Sequence, residues 1–568
     1  MSSTGEERHK DAYDIRKDAA EIAFKRRYDK KHPNNGEEDE YKDADDNRNF
    51  IANYTKGLKH HEIGNRDAGE VENEDYKKLL KALKSGKQRD FDAIPFGIRD
   101  GRKFRKFTNP QAGFAFDLEG PDSHDLAIRE APRIDEPEAA GEMAELYWMA
   151  LCRDIEFLKF DTDPLVGEAV ADLSTGYSVF PSNPKFEITS KTVFRGFTEG
   201  DHIGPYISQF LYKDIKWGPQ RLYQVQRILT QNDYLTDYNI WLEIQDGFDP
   251  MLSDEYEHPD DPTHVRLITT PRDLCYYVHI DALYQAYLGA CLILSEGASL
   301  GHYHFDPLLP YEKDASARKE MGFGTFGGPH ILSLVTEVAT RALKAVWYQK
   351  WIVHRRPRPE AFGGLIHRQL HSNSPTPTPG LTSPDPSYED KIHRDILGKT
   401  GSDQILERIR AENGSYLLPQ AFPEGSPTHP SYGAGHATVA GACTTILKAW
   451  FKEDDIINKP QIPNPAVPNP TGQDMLEGKH LSEYMEADRN KLTVGGELNK
   501  VAANIAIGRN WAGVHYRSDY TESVKLGERI AIGILQEQAL TYNERFACAL
   551  TKFDGKQIEF DKTRIIQH

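Results

Sequence analysis

Residues 426–443, SPTHPSYGAGHATVAGAC, carry two histidines seven positions apart, His429 and His436. Between them a turn of small residues, Gly433, Ala434 and Gly435, leads into a small-residue helical pattern from Ala437 to Cys443. The first N–H groups of a helix have no partner inside it, and the helix dipole is positive at that end, so such a turn is an anion site. A histidine at its mouth can move a proton near neutral pH. Two further stretches carry matching chemistry. Lys350 and Arg358 lie eight residues apart, with Arg358 between Pro357 and Pro359, and RNWAGVHYRSD holds Arg509, Gly513, His515 and Asp519. Two guanidinium forks and one ammonium suit a tetrahedral oxyanion. One histidine could bond its central atom while the other handles protons. Asp519, four residues after His515, could hold the tautomer of that ring.

These groups need rigid elements to bring them together. The pattern of Leu334, Val338, Ala342 and Ala345 predicts a long helix over 330–356, stopped by Pro357 and Pro359. Its end gathers Lys350, His354, Arg355, Arg356 and Arg358. Attraction of cations to a helix C-terminus accounts for Arg355 and Arg356, and less well for Lys350 and the proline-clamped Arg358. Further helices are expected at about 431–452, 495–509 and 519–542, the last with Val524, Gly527, Ala531 and Ile534 in register. Upstream, Met143, Tyr147, Ala150 and Leu151 share one face of a helix within 136–157. The stretch 276–296 reads as one helix, apolar nearly all round and therefore interior. Shorter helices are expected near 167–173 and 206–213, and loops at 234–262, 372–390 and 457–472. Gly322, Gly324 and Gly327 spell GxGxxG, but no buried strand precedes them and Pro329 opens a helix, so a tight turn is expected there rather than a dinucleotide site. With no convincing run of paired strands, the fold class is mainly α, built from helical bundles.

The chain has 568 residues and a formal net charge of −18, without a Lys/Arg stripe, which argues against a nucleic-acid partner. Five separated cysteines form no CxxC pair and read as buried thiols. No apolar run reaches the length of a membrane span, and MSSTGEERHKDAYDIRKD lacks the apolar region of a signal peptide, so a cytoplasmic location is the default expectation. Residues 1–50 are highly charged, with a short helical patch at DAAEIAFKRRYDKK, and read as an arm with little core of its own.

As a set, K-x7-R-P, G-H and R-x3-G-x-H-x3-D resemble the signature shared by vanadium-dependent haloperoxidases and related acid phosphatases. NPQAGFAFDLEGPD (109–122), AAGEMAELYWMALCRD (139–154), GFGTFGGPHI (322–331) and THPSYGAGHATVAGAC (428–443) resemble red-algal and cyanobacterial bromoperoxidases, and the similarity runs from about residue 14 to 545. The resemblance implies that Lys350, Arg358, Arg509 and the Gly435 N–H bind the oxygens of one vanadate. It implies that His515 is the metal ligand, that His436 is the acid/base for peroxide, and that His429, which chloroperoxidases replace with an aromatic, favours bromide, with chloride or iodide as alternatives. The reaction so implied oxidises bromide with hydrogen peroxide to hypobromous acid or an equivalent, which halogenates an organic acceptor. Lys350 and the arginines would make the peroxide electrophilic. The same pocket could instead serve a phosphatase, with His515 as nucleophile and His436 as acid. The resemblance also implies a large homo-oligomer, a dodecamer, and a structural divalent cation such as calcium. The domains expected are an arm and oligomerisation region at 1–108, a first bundle at 109–320 and a site-bearing bundle at 321–568. Two positions depart from the pattern. Ala434 stands where the family often has a serine that donates to vanadate, and Gln349 stands where red-algal relatives tend to have arginine, which bears on halide preference.

Overall fold

The structure, a computed structural model, describes residues 4–40, 53–65, 68–98, 101–177, 187–251, 255–312, 316, 318–373, 377–382, 392–397, 405–464, 479–561 and 565–567. Much of the two loops expected at 372–390 and 457–472 lies outside them. The helices that build the site are numbered in chain order: α1 Pro137–Leu151, α2 Pro271–Ile280, α3 Gln285–Ser299, α4 Gly328–Tyr348, α5 Pro359–Leu370, α6 Gly435–Trp450, α7 Val494–Trp511 and α8 Arg517–Thr541.

Helix α6 is the axis of the fold. Every residue of it except His436 is buried, and α4, α7 and α8 pack around it. Its small residues permit this. A Cβ on Gly441 would lie 2.0 Å from the Val524 carbonyl oxygen, and one on Gly527 would lie 2.0 Å from that of Thr438, so α6 and α8 meet backbone against backbone. One hydrophobic cluster runs from Leu126 to Phe560 through all of these helices. The fold is mainly α, as the periodicities predict.

Several expectations need correction. The helix expected over 330–356 is α-helical only to Tyr348 and continues as a π-helical turn, Gln349–His354. It ends at Arg355, whose φ is 46° and whose Nη1 donates to the Trp351 and Ile352 carbonyls. Pro357 and Pro359 have no N–H to continue it. The apolar stretch 276–296 is two helices, α2 and α3, at 100° to one another. Hydrophobic periodicity cannot register a bend between two buried segments. Ile280 and Tyr284, expected inside, are 59% and 39% exposed at the corner. Within 234–262 lies a helix, Tyr238–Gln245, whose N-terminal N–H groups at Asn239 and Ile240 donate to Asp237. The 167–173 helix is Pro164–Thr175, whereas 206–213 yields only the 3-10 turn Gln209–Leu211. Short antiparallel ladders exist despite the expectation, including a three-stranded sheet of Ala547–Thr551, Gln557–Asp561 and Ile565–Gln567. Gly322–Gly327 is the expected tight turn, and Gly327 caps α4. The five cysteines are buried and free. Among the described residues no single helix is long and apolar enough to cross a membrane.

The N-terminal arm forms a helix, Gly5–Lys25, opened by a Thr4/Glu7 capping box, and none of its residues is buried. The chain after it reaches the π turn. Asn34 Nδ2 donates to the Val353 carbonyl at 2.6 Å, and Arg355 pairs with Glu38 at 2.6 Å.

Gly527→Ala is expected to force α6 and α8 apart and to destabilise the protein by about 1–3 kcal/mol, read as a lower denaturation midpoint. Gly167→Ala, in a helix where a Cβ meets nothing within 4 Å, is the control and should not lower it. Equal midpoints for the two variants would remove the backbone contact as a constraint.

Candidate oxyanion and proton-transfer site

The π turn directs Lys350 inward, where its Nζ donates to the Pro430 and Ser431 carbonyls at 2.7 and 2.8 Å. Arg358, in extended conformation just before α5, donates from Nε to the His429 carbonyl and from Nη1 to the Val514 carbonyl, at 2.8 and 2.7 Å. Arg509, in the last turn of α7, donates from Nη1 to the Val278 carbonyl near the end of α2 at 2.8 Å, and its buried Nε has no partner. The three side chains are 0%, 1% and 4% exposed, and among the described residues none of them pairs with a carboxylate. Burial, followed by Arg358 and Arg509, holds the Lys350 ammonium well below its usual range, against the pull of Asp519. Burial, together with Arg509, pushes Arg358 down to about 10, and burial also lowers Arg509, against Asp281. Desolvated like charges without a counterion are unfavourable, and a bound anion relieves all three.

His515 stands beside them with its tautomer set. Its Nδ1–H donates to Asp519 Oδ2 at 2.6 Å, while Nε2 accepts from Arg358 Nη1 at 3.0 Å. Burial, then Arg358, Lys350 and Arg509, keep the ring well below its ordinary pKa, so it is neutral with its Nε2 lone pair toward the cations. Asp519 is held in turn by the Ser431 hydroxyl, by the Tyr516 N–H at 3.2 Å and by Arg356 Nη1 at 2.9 Å. Arg356 bridges on to Glu142 of α1 at 2.7 Å and lies 3.7 Å from the centroid of the Tyr516 ring. The expected dipole role therefore describes Arg355, and Arg356 is instead a strut under the His515–Asp519 pair.

Gly435 opens α6, and a Cβ there would come within 3.1 Å of the Trp347 ring, so glycine lets that ring lie against the helix start. His436, the next residue, has a side chain 19% exposed, with Nε2 3.2 Å from Asp281 Oδ1. Burial lowers its pKa, Asp281 opposes this, and Arg509 and Lys350 add to the lowering. A partly open ring with a carboxylate behind it can take up and release a proton. His429 accepts at Nδ1 from Arg358 Nη2 at 2.8 Å and lies 4.8 Å from the Trp347 ring. Burial and the neighbouring cations hold it well below its ordinary pKa. All the site residues expected from sequence, Lys350, Arg358, His429, Gly435, His436, Arg509 and His515, thus meet around the start of α6. Asp281, Arg356, Glu142, Ser431 and Trp347 were missed as site residues. Asp281 had a visible signal, as one of only two carboxylates, with Glu296, in the apolar run 276–296.

The two departures have structural settings. The Ala434 N–H donates to Ser523 Oγ of α8 at 2.8 Å, so a hydroxyl lies behind the turn although position 434 has none. The Gln349 amide donates to the Leu126 carbonyl at 2.9 Å and to His32 of the arm at 3.1 Å.

Residues 393–543 match the model of the VCPO second helical-bundle domain. Over nearly its whole length the chain is 39% identical to the vanadium-dependent bromoperoxidase of Corallina pilulifera, the alignment covering 97% of this chain and 98% of the relative. The chain belongs to the vanadium-dependent bromoperoxidase family. Within that family it is also 38% identical to the enzyme of Corallina officinalis, at the same coverage, and 31% identical to that of Ascophyllum nodosum, over 93% of this chain and 87% of the relative. The solved homohexameric vanadate-dependent bromoperoxidase AnII of Ascophyllum nodosum has the same fold, with a TM-score of 0.81 and 26% identity over 99% of this chain and 92% of that one. The site of this bromoperoxidase-family chain fits vanadate. Among the described residues it has three buried cations without carboxylate partners, an unpartnered guanidinium nitrogen, the free N–H groups of a helix start, and a neutral imidazole nitrogen as ligand.

Ala434→Ser is expected to tighten vanadate binding. A hydrogen bond to a charged group contributes about 1.5–3 kcal/mol, or roughly ten- to hundredfold in Kd. An unchanged Kd in a vanadate titration would mean that other donors already satisfy those oxygens.

Proposed function

We propose that this protein uses vanadate, held at the start of α6, to oxidise bromide with hydrogen peroxide to hypobromous acid or an equivalent that halogenates organic acceptors. The observation that carries this reading is the set of three buried, carboxylate-free cations around a neutral imidazole nitrogen. When bound, vanadate supplies a Lewis-acidic centre that activates peroxide without changing its own oxidation state. Lys350, Arg358, Arg509 and the Gly435 N–H would hold its oxygens, and His515 Nε2 would hold the metal. Their fixed positive field would make peroxide held there electrophilic toward bromide; such preorganised electrostatics is the main lever of the site. His436 would take a proton from peroxide and give it up again, with Asp281 stabilising its charged form. His429 and Trp347 border the same space, and the bromide preference assigned to His429 rests on the family resemblance.

The phosphatase reading uses the same pocket. The relatives aligned along nearly the whole chain are bromoperoxidases, which favours the peroxidase. A homo-oligomer is part of the proposal, supported by the unburied helix Gly5–Lys25, with Ile22 45% and Phe24 88% exposed. AnII is homohexameric, and the dodecamer rests on the resemblance to red-algal enzymes. A structural calcium ion is proposed on that resemblance alone, with no ligands assigned. The expected segments 1–108, 109–320 and 321–568 stay a proposal; the match at 393–543 falls inside the last.

Bromination of monochlorodimedone, run with and without vanadate beside p-nitrophenyl phosphate hydrolysis, tests the reaction. Vanadate-dependent bromination is expected, and it should vanish with vanadate binding in His515→Ala. Phosphate release without bromination would overturn the reading. Asp281→Asn removes a charge that favours the His436 imidazolium. The acid limb of the kcat/KM profile should therefore move to lower pH. A shift to higher pH would deny Asp281 that influence.

A further inference from the structure

Away from the oxyanion site, one loop, EYEHPDDPTHVR (255–266), sets three ligating side chains side by side. Glu257, His258 and His264 each offer a ligand atom, and these atoms all lie within 4.8 Å of one another. The His258 and His264 ring centroids are 3.9 Å apart, and His264 Nε2 is 3.6 Å from Glu257 Oε2. The backbone beneath them is tied down. Arg227 Nη2 donates to the His258 and Pro259 carbonyls at 2.9 and 3.0 Å, and its guanidinium lies 3.5 Å from the centroid of the Tyr256 ring. The Glu257 N–H donates to the Ile228 carbonyl at 3.0 Å. Two successive turns, from Asp261 N–H to the His258 carbonyl and from His264 N–H to the Asp261 carbonyl, bring the two histidines together. Asp261 Oδ1 accepts from the Thr263 N–H at 2.9 Å and takes no part in the ligand set.

We propose that Glu257, His258 and His264 bind one divalent ion of the zinc type. Two imidazole nitrogens and a carboxylate oxygen are the donors that zinc, cobalt(II) and nickel(II) prefer, whereas calcium and magnesium want oxygen alone. Coordination at about 2.0–2.2 Å needs the ligand atoms to draw together by roughly 1 Å. Glu257 and His258 are exposed and His264 half-buried, so rotamer changes suffice, and water takes the fourth position. The ion would brace the site from outside. Arg266, at the end of the same loop, grips Asp273 of α2 at 2.9 Å, and the Tyr256 and Tyr276 hydroxyls meet at 2.9 Å. The far end of α2 supplies the carbonyl that holds Arg509 and leads into Asp281.

Cobalt(II) chloride titrated into the vanadate-loaded full chain, in chelator-free buffer, tests this. One cobalt ion per chain is expected, with visible bands of a four-coordinate N/O site. Zinc chloride should displace it, excess calcium chloride should not, and the bands should vanish in His258→Ala and in His264→Ala. Both variants should keep the far-ultraviolet circular dichroism of the parent. No saturable cobalt binding, displacement by calcium, or bands that survive in the doubly substituted chain would each overturn the proposal. The readout needs no turnover, so its failure leaves the oxyanion site untouched, and a failure of that site leaves this one untouched.

Discussion

Three buried cations that, among the described residues, pair with no carboxylate are the constraint on which the rest of this structure depends. Removing charge from water is expensive, and the usual remedy is an ion pair. Here the remedy is different. Lys350, Arg358 and Arg509 are held by the carbonyls of Pro430, Ser431, His429, Val514 and Val278. Carbonyl dipoles orient a cation and offset part of its desolvation, but they do not neutralise it. A carboxylate in their place would use up the positive field. The acidic residues nearby are engaged elsewhere: Asp519 by His515 and Arg356, Glu142 by Arg356, and Asp281 by His436. The field therefore stays available for an oxyanion, at the expense of depressed pKa values for all three cations.

The backbone irregularities follow from the same demand. The carbonyls must come from chain ends and turns, because carbonyls inside regular helices are already used. The π turn after α4 puts Lys350 under the 430–431 carbonyls, and the corner between α2 and α3 brings Asp281 to His436. Regular helices would have aimed both side chains elsewhere. What keeps these irregular pieces in place is the close packing of α6 on α8 through Gly441 and Gly527, which sets the start of α6 relative to Asp519 and His515. The same packing makes the site rigid, which electrostatic catalysis requires.

The residues that carry the chemistry were legible because their types are rare in combination. Histidine, arginine and lysine clamped by proline and glycine at fixed spacings are not what a solvated helix face needs, and Asp519 could be assigned to His515 from a separation of one helical turn. The long helices were legible because a buried stripe repeats every 3.6 residues. Position 434 shows the limit of that reading. Sequence shows a hydroxyl missing there, while the fold supplies Ser523 from another helix beside the same turn. Arg356 shows it again. Read locally it matched a helix end, and in three dimensions it joins Glu142 to Asp519 across the core.

Sequence by itself determined the helical class, the site-bearing segments and the residues that meet there, because local periodicity, proline and glycine act over a few residues. Tertiary structure alone decided where the helices bend, which carboxylate serves which histidine, and whether the cations are neutralised. Those outcomes depend on distances between groups far apart in sequence, such as Glu142 and Asp519, joined through Arg356, or His436 and Asp281, 155 residues apart, and no local pattern encodes them. The start of α6 combines both. Its glycine and histidine are written in the chain, but its charge and its open ligand position come from what the rest of the fold brings against it.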